Sequence, residues 1–152
     1  MSFQSARALD QLTEDALEGA QPVGKLSQLG EQGRVVVTLF RGSDALRRSS
    51  DMGKIFEQMM MVFRRHGRRQ LVSHGMSCDC LGADEAVLAQ FVRLAARGKR
   101  EDACLMAMLI VRADVAPLAV SLAEQLGLLI DATLRTDPRA MMGAETGKSA
   151  VH

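Results

Sequence analysis

The sequence predicts an all-α fold, a compact single-domain helical bundle of about five to seven helices. Three observations predict it. Apolar side chains recur every three to four positions along most of the chain. The apolar set is built from Leu, Val, Ala and ten Met, with five Phe and neither Trp nor Tyr, whereas all-β domains lean on aromatic and β-branched residues. The connections between the last helical stretches are only a few residues long, which implies antiparallel neighbours. At 152 residues, 47% hydrophobic and 24% charged, the chain can bury roughly 70% of its unfolded surface in one core. Residues 1–135 are expected to form the helical domain. Residues 136–152, small and polar, are expected to form a flexible C-terminal tail.

The elements follow in order. Residues 5–18 place Ala6, Leu9, Leu12, Ala16 and Leu17 on one helical face, with Asp10, Glu14, Asp15 and Glu18 outside. Gly19, Pro22 and Gly24 break it. Residues 34–40 are ambiguous: three valines and a Thr suit a strand, while Val35, Val36, Leu39 and Phe40 fit a helical stripe. Helix is preferred, because no partner strand is visible and a lone strand leaves its backbone groups unsatisfied.

Residues 51–65 give the clearest helix. Met52, Ile55, Phe56, Met59, Met60 and Phe63 form an unbroken apolar face, Ser50 is a suitable N-cap and Gly67 a stop. Residues 66–83 read as a Gly- and Cys-containing connection with one helical turn near 70–73. A helix over 83–97 turns Val87, Leu88, Phe91, Leu94 and Ala95 inward, with Asp84 and Glu85 in its first turn. Residues 101–111 are apolar all round after an acidic start, which predicts a buried central helix. Asp114 caps a further helix that tolerates Pro117 in its first turn and stops at Gly127. Residues 128–134 add a last turn or short helix.

Net charge is +1, so global electrostatics select no partner. Residues 41–75 alone are distinctive, with eight basic and three acidic side chains. The start of the chain lacks a basic-then-apolar layout, so no secretory leader is expected. The longest apolar run, 103–111, is too short to span a bilayer. Three cysteines do not make a disulfide framework. The expected setting is the cytoplasm, away from membranes, with reduced thiols.

The most specific constellation is His74-Gly-Met-Ser-Cys78-Asp-Cys80. An imidazole and two thiolates are ligand types that zinc or copper(I) selects, so His74, Cys78 and Cys80 are candidate metal ligands, with zinc as the implied cofactor. His66, Asp84, Glu85 or a water is a candidate fourth ligand. Cys-x-Cys is tighter than the usual spacing of structural zinc pairs, and a packed loop is the plainer reading. Cys78 or Cys80 is alternatively a redox-responsive thiol near the start of the helix at 83, although no group that would orient a Cys–His dyad is visible. Cys104, inside an apolar stretch, reads as core.

Arg64, Arg65, Arg68 and Arg69 form a basic run that suits an acidic partner surface; the plainer reading is a solvated helix end. Nucleic acid is a poor fit. Stacking aromatics are missing, and the second helix of the candidate helix-turn-helix at 101–127 offers only Ser121, Glu124 and Gln125 as polar groups. Residues 143–149 fall one residue short of a phosphate loop and lack the flanking strand and helix. With no convincing catalytic set, the sequence points to a non-catalytic interaction or regulatory module whose partner is another protein or a second copy of itself, as a homodimer. The alternative is a metal-binding or thiol-redox-responsive protein using the His74/Cys78/Cys80 cluster.

Overall fold

The computed structural model describes residues 14, 16–43 and 50–137. Most of the predicted first helix lies outside them, as does the expected tail from residue 138 onward. Residues 16–19 are helical. The chain continues through β1 (Pro22–Lys25), a 3-10 turn (Leu26–Gln28), α1 (Glu31–Arg41), α2 (Asp51–His66), β2 (Cys80–Gly82), α3 (Ala83–Ala96), α4 (Arg100–Ile110), a second 3-10 turn (Ala113–Val115) and α5 (Ala116–Thr136). The architecture is mostly α, as predicted. α3 and α5 form the central pair; α1 packs on α3, α2 on α5, and α4 against both.

The ambiguous residues 34–40 are helical. Three valines cost a helix at most about 2 kcal/mol relative to Ala. Val35, Val36 and Val37 are all buried, and burying one such side chain returns about 1.5–3 kcal/mol, so tertiary burial outweighs propensity. Gly42 ends α1 at φ 101°, a left-handed conformation that glycine adopts without strain; its N–H bonds back to Leu39 O and the Ser43 N–H to Thr38 O. Helix α2 matches its sequence signals closely. Ser50 Oγ accepts from Gly53 N–H at 3.3 Å, and Met52, Phe56, Met59 and Phe63 are buried.

Several readings need correction. Helix α4 is peripheral, not central. It buries only Ala103, Ala107 and Ile110, while Leu105, Met108 and Leu109 face outward. An all-apolar helix carries no periodic signal to say which face is inward, and here the small side chains win because they allow close approach. Gly127 is not a stop: α5 runs through it to Thr136. A Cβ at Gly127 would lie 2.6 Å from Ala96 Cβ and 3.1 Å from Val92 Cγ1, so the glycine lets α3 and α5 touch. Finally, β1 and β2 pair antiparallel, with Lys25 opposite Cys80 and Pro22 opposite Gly82. The ribbon is too short to show an alternating pattern, and Val37, Leu81 and Ala89 make a small apolar cluster associated with it. The turn expected near 70–73 is irregular backbone.

Among the described residues, one helix, Ala113–Thr136, is long and apolar enough to cross a membrane by length and composition. Ser121, Glu124 and Gln125 interrupt its apolar run, which is why counting uninterrupted stretches missed it. In this fold it supplies Ala119, Val120, Ala123, Leu126 and Ile130 to the core.

Candidate functional site

The site is built where α1 ends, α3 begins and the 67–82 connection passes between them. An isolated antiparallel bridge pairs Gly67 with Val111 and fastens the start of that connection: Arg68 N–H donates to Ile110 O at 2.9 Å, and Arg112 N–H to His66 O at 3.1 Å. Asp84, buried in the first turn of α3, accepts a two-pronged bond from Arg69 and a further one from Val72 N–H at 2.9 Å. Its neighbour Glu85 is 0% exposed and meets Arg41, whose side chain is 2% exposed. Arg41 Nε donates to Glu85 Oε2 at 2.6 Å and Nη2 to Oε1 at 3.1 Å. Glu85 also holds Arg41 above its ordinary pKa through that bond. First-turn carboxylates do favour the helix dipole, as the sequence suggested. Here they also anchor two arginines from elsewhere in the chain.

Arg41 has further work to do. Nη1 donates to Cys78 O at 2.6 Å and Nη2 to Cys80 O at 2.7 Å. On the opposite side, Asp79 O accepts from Leu26 N–H at 2.8 Å. The carbonyls of 78, 79 and 80 therefore alternate in direction, as in an extended strand, and Arg41 occupies the edge where a third strand would pair.

A tight turn, with Cys78 N–H donating to Gly75 O at 3.1 Å, brings His74 and Cys78 together. His74 Nδ1 lies 3.5 Å from Cys78 Sγ. The other ring nitrogen, Nε2, lies 2.7 Å from Ala20 O. A carbonyl can only accept, so Nε2 carries a hydrogen and Nδ1 is the atom that shares a proton with the sulfur. The ring also packs on Gly82, where a Cβ would fall 2.8 Å from Nε2. This is a Cys–His pair with an orienting group, the arrangement that activates a thiol. No match emerges among family models, curated proteins or solved structures. The chemistry of the site must be read from its own geometry.

That geometry favours a thiolate. The hydrogen bond to His74 lowers the Cys78 pKa below the ordinary thiol value, helped by the Cys80 backbone N–H. His74 is raised, by the bond to Cys78 first and the Ala20 carbonyl second. Cys80 is raised, by its hydrogen bond to Cys78 and then by the Cys78 charge. Cys78 is partly exposed and Cys80 exposed, so solvent and small oxidants reach both.

Of the three metal ligands predicted, the structure brings His74 to Cys78, with Cys80 bonded to Cys78 and not to the imidazole. Among the described residues no group of three His, Cys, Asp or Glu side chains is arranged to hold an ion. Asp84 and Glu85, the acidic candidates for a fourth ligand, are committed to Arg69 and Arg41. The basic run is likewise divided. Arg69 turns in to Asp84, and Arg68, itself exposed, donates from Nε to Met108 O at 2.7 Å, while Arg64 and Arg65 are exposed at the end of α2. Arg64 pairs there with Glu57 at 3.6 Å. Cys104 is half-buried against the core.

Sequence reasoning missed the orienting carbonyl, because Ala20 is 54 positions from His74 and any residue type supplies a carbonyl. It also missed Arg41. Nothing in the local pattern distinguishes that arginine from a cation placed at a helix C-terminus.

Proposed function

We propose that this chain is a thiol-redox-responsive regulatory protein whose reactive group is Cys78. The observation that carries the reading is the 3.5 Å approach of Cys78 Sγ to a His74 ring whose far nitrogen is held by Ala20 O. The role remains regulatory and non-catalytic, in a compartment that keeps thiols reduced. Exposure of the sulfur suits a small oxidant or a partner thiol better than an enclosed substrate. Alkylation with iodoacetamide at pH 6.5, followed by tryptic mapping of residues 70–93, tests it. Cys78 is expected to react ahead of a cysteine in an unstructured peptide, because the thiolate is the nucleophile. The gain in thiolate outweighs the accompanying loss of intrinsic nucleophilicity, whose Brønsted coefficient is only about 0.4–0.5, so His74→Gln should slow the reaction severalfold. Equal rates in wild type and variant would remove the reading.

A second reading, self-association, is favoured by one observation. Leu105 and Leu109, 64% and 69% exposed, form with Met108 an outward apolar stripe on α4. A standard interface buries about 800 Å² per partner, more than three side chains supply, so the expected homodimer is weak. Sedimentation should show mass rising with concentration over the micromolar range in wild type and a constant monomer in the Leu105→Arg, Leu109→Arg double variant. A wild-type monomer throughout eliminates it.

A further inference from the structure

The alternating carbonyls of residues 78–80 have a consequence for the two thiols. Cys78 O and Cys80 O point to Arg41 while Asp79 O points to Leu26 N–H, in the turn that follows β1. In an extended stretch, residues two apart share a face, so the Cys78 and Cys80 side chains leave the backbone on the same side. A fully extended backbone would set their Cα atoms about 6.6 Å apart. That is the outer end of the roughly 4.4–6.8 Å window a disulfide tolerates, whose preferred value is about 5.5–6 Å. A bridge can form, and forming it shortens the stretch.

We propose that Cys80 is the resolving thiol for Cys78, and that closing a Cys78–Cys80 disulfide draws the two carbonyls off Arg41 and unlatches the β1–β2 ribbon from the buried Arg41–Glu85 pair. The inference rests on the reading of Cys78 as the reactive thiolate. The oxidant is a hydroperoxide. Cys78 sulfur attacks the peroxide oxygen, the O–O bond breaks, and the departing alkoxide or hydroxide takes a proton from His74, leaving a sulfenic acid at Cys78. Cys80 sulfur then attacks the Cys78 sulfur. The S–O bond breaks, hydroxide leaves and takes up the Cys80 proton as water, and the two-electron oxidation is complete.

The order of events is built into the pair. The first cause holding the Cys80 proton on is its bond to Cys78. Once Cys78 is a neutral sulfenic acid that restraint weakens, while the Lys25 ammonium, which favours the Cys80 thiolate, remains. Disulfides under strain have more oxidising potentials and are readily reduced again, which suits a reversible switch.

The test is oxidation of the full chain with stoichiometric hydrogen peroxide in the presence of dimedone, followed by non-reducing tryptic mapping. Arg69 and Arg93 bound a peptide, residues 70–93, that contains Cys78 and Cys80 and no other cysteine. In wild type this peptide is expected to be two hydrogens lighter and free of dimedone. In Cys80→Ser it should carry dimedone at Cys78. Amide exchange at Leu26 and Ala83, whose N–H groups bond to Asp79 O and Gln21 O at 2.8 Å each, should quicken by about tenfold or more on oxidation and recover with dithiothreitol. Dimedone on wild-type Cys78, or a disulfide between two chains, overturns the resolving role while leaving Cys78 reactive. Unchanged exchange in disulfide-containing protein overturns the unlatching. If Cys78 oxidises no faster than Cys104, the underlying reading of the site fails as well.

Discussion

Glu85→Gln is expected to lower the stability of the domain by about 3–5 kcal/mol, the usual cost of leaving one partner of a buried ion pair alone. Glu85 is fully buried, and the Arg41 guanidinium that faces it is almost equally so. Four hydrogen bonds tie that guanidinium down, two to the carboxylate and two to the carbonyls of Cys78 and Cys80. Glutamine keeps the shape and an acceptor for Gly82 N–H, which now donates to Glu85 Oε1 at 3.0 Å. It removes the counter-charge, and a buried cation without one is the expensive state. With an m-value of about 1–3 kcal/mol/M, the urea midpoint should fall by about 2 M. A midpoint within about 0.5 M of wild type would mean that water reaches the pair. Arg41→Leu combined with Glu85→Leu should cost less than the two single changes added together, because neither charge is then stranded.

The second large effect is expected from Phe91→Ala. Phe91 lies on the central helix α3, is completely buried, and meets Phe63 of α2 with ring centroids 6.2 Å apart and planes tilted by 52°. Truncating a buried Phe to Ala costs about 3–5 kcal/mol, through lost transfer free energy and the cavity left between helices that relax only partly. Total stability for a domain of this kind is about 5–15 kcal/mol, so about a fifth or more of it would go. Phe91→Leu fills most of the volume and should cost less than about 1.5 kcal/mol. Thermal or urea unfolding of the three proteins checks the order. An Ala variant no weaker than the Leu variant would show that the α2–α3 contact closes over the gap.

Much of the helical content was legible because the signals that start, face and end a helix act within about four residues. The apolar stripe of α2 and its Ser50 cap lie where the sequence puts them. Where a stretch is apolar on every side, as in α4, the period vanishes and burial cannot be read. Gly127 looked like a helix end because glycine often is one; its use here is steric, set by Ala96 and Val92 on a neighbouring helix. The ribbon escaped notice for a related reason: a four-residue strand and a three-residue strand, with 54 residues between them, carry no pattern of their own.

The site divides in the same way. Sequence alone placed His74 and Cys78 four residues apart beside Gly75, in a connection between helices with Cys80 close behind. Tertiary structure decided which ring nitrogen faces the sulfur, through a carbonyl 54 residues away, and put Arg41 against Cys78, Cys80 and Glu85 across separations of 37, 39 and 44 residues. Backbone carbonyls are alike at every position, and an arginine buried by distant neighbours looks in sequence like one in water. Only the packing of α1 and α3 around the 67–82 connection makes that difference.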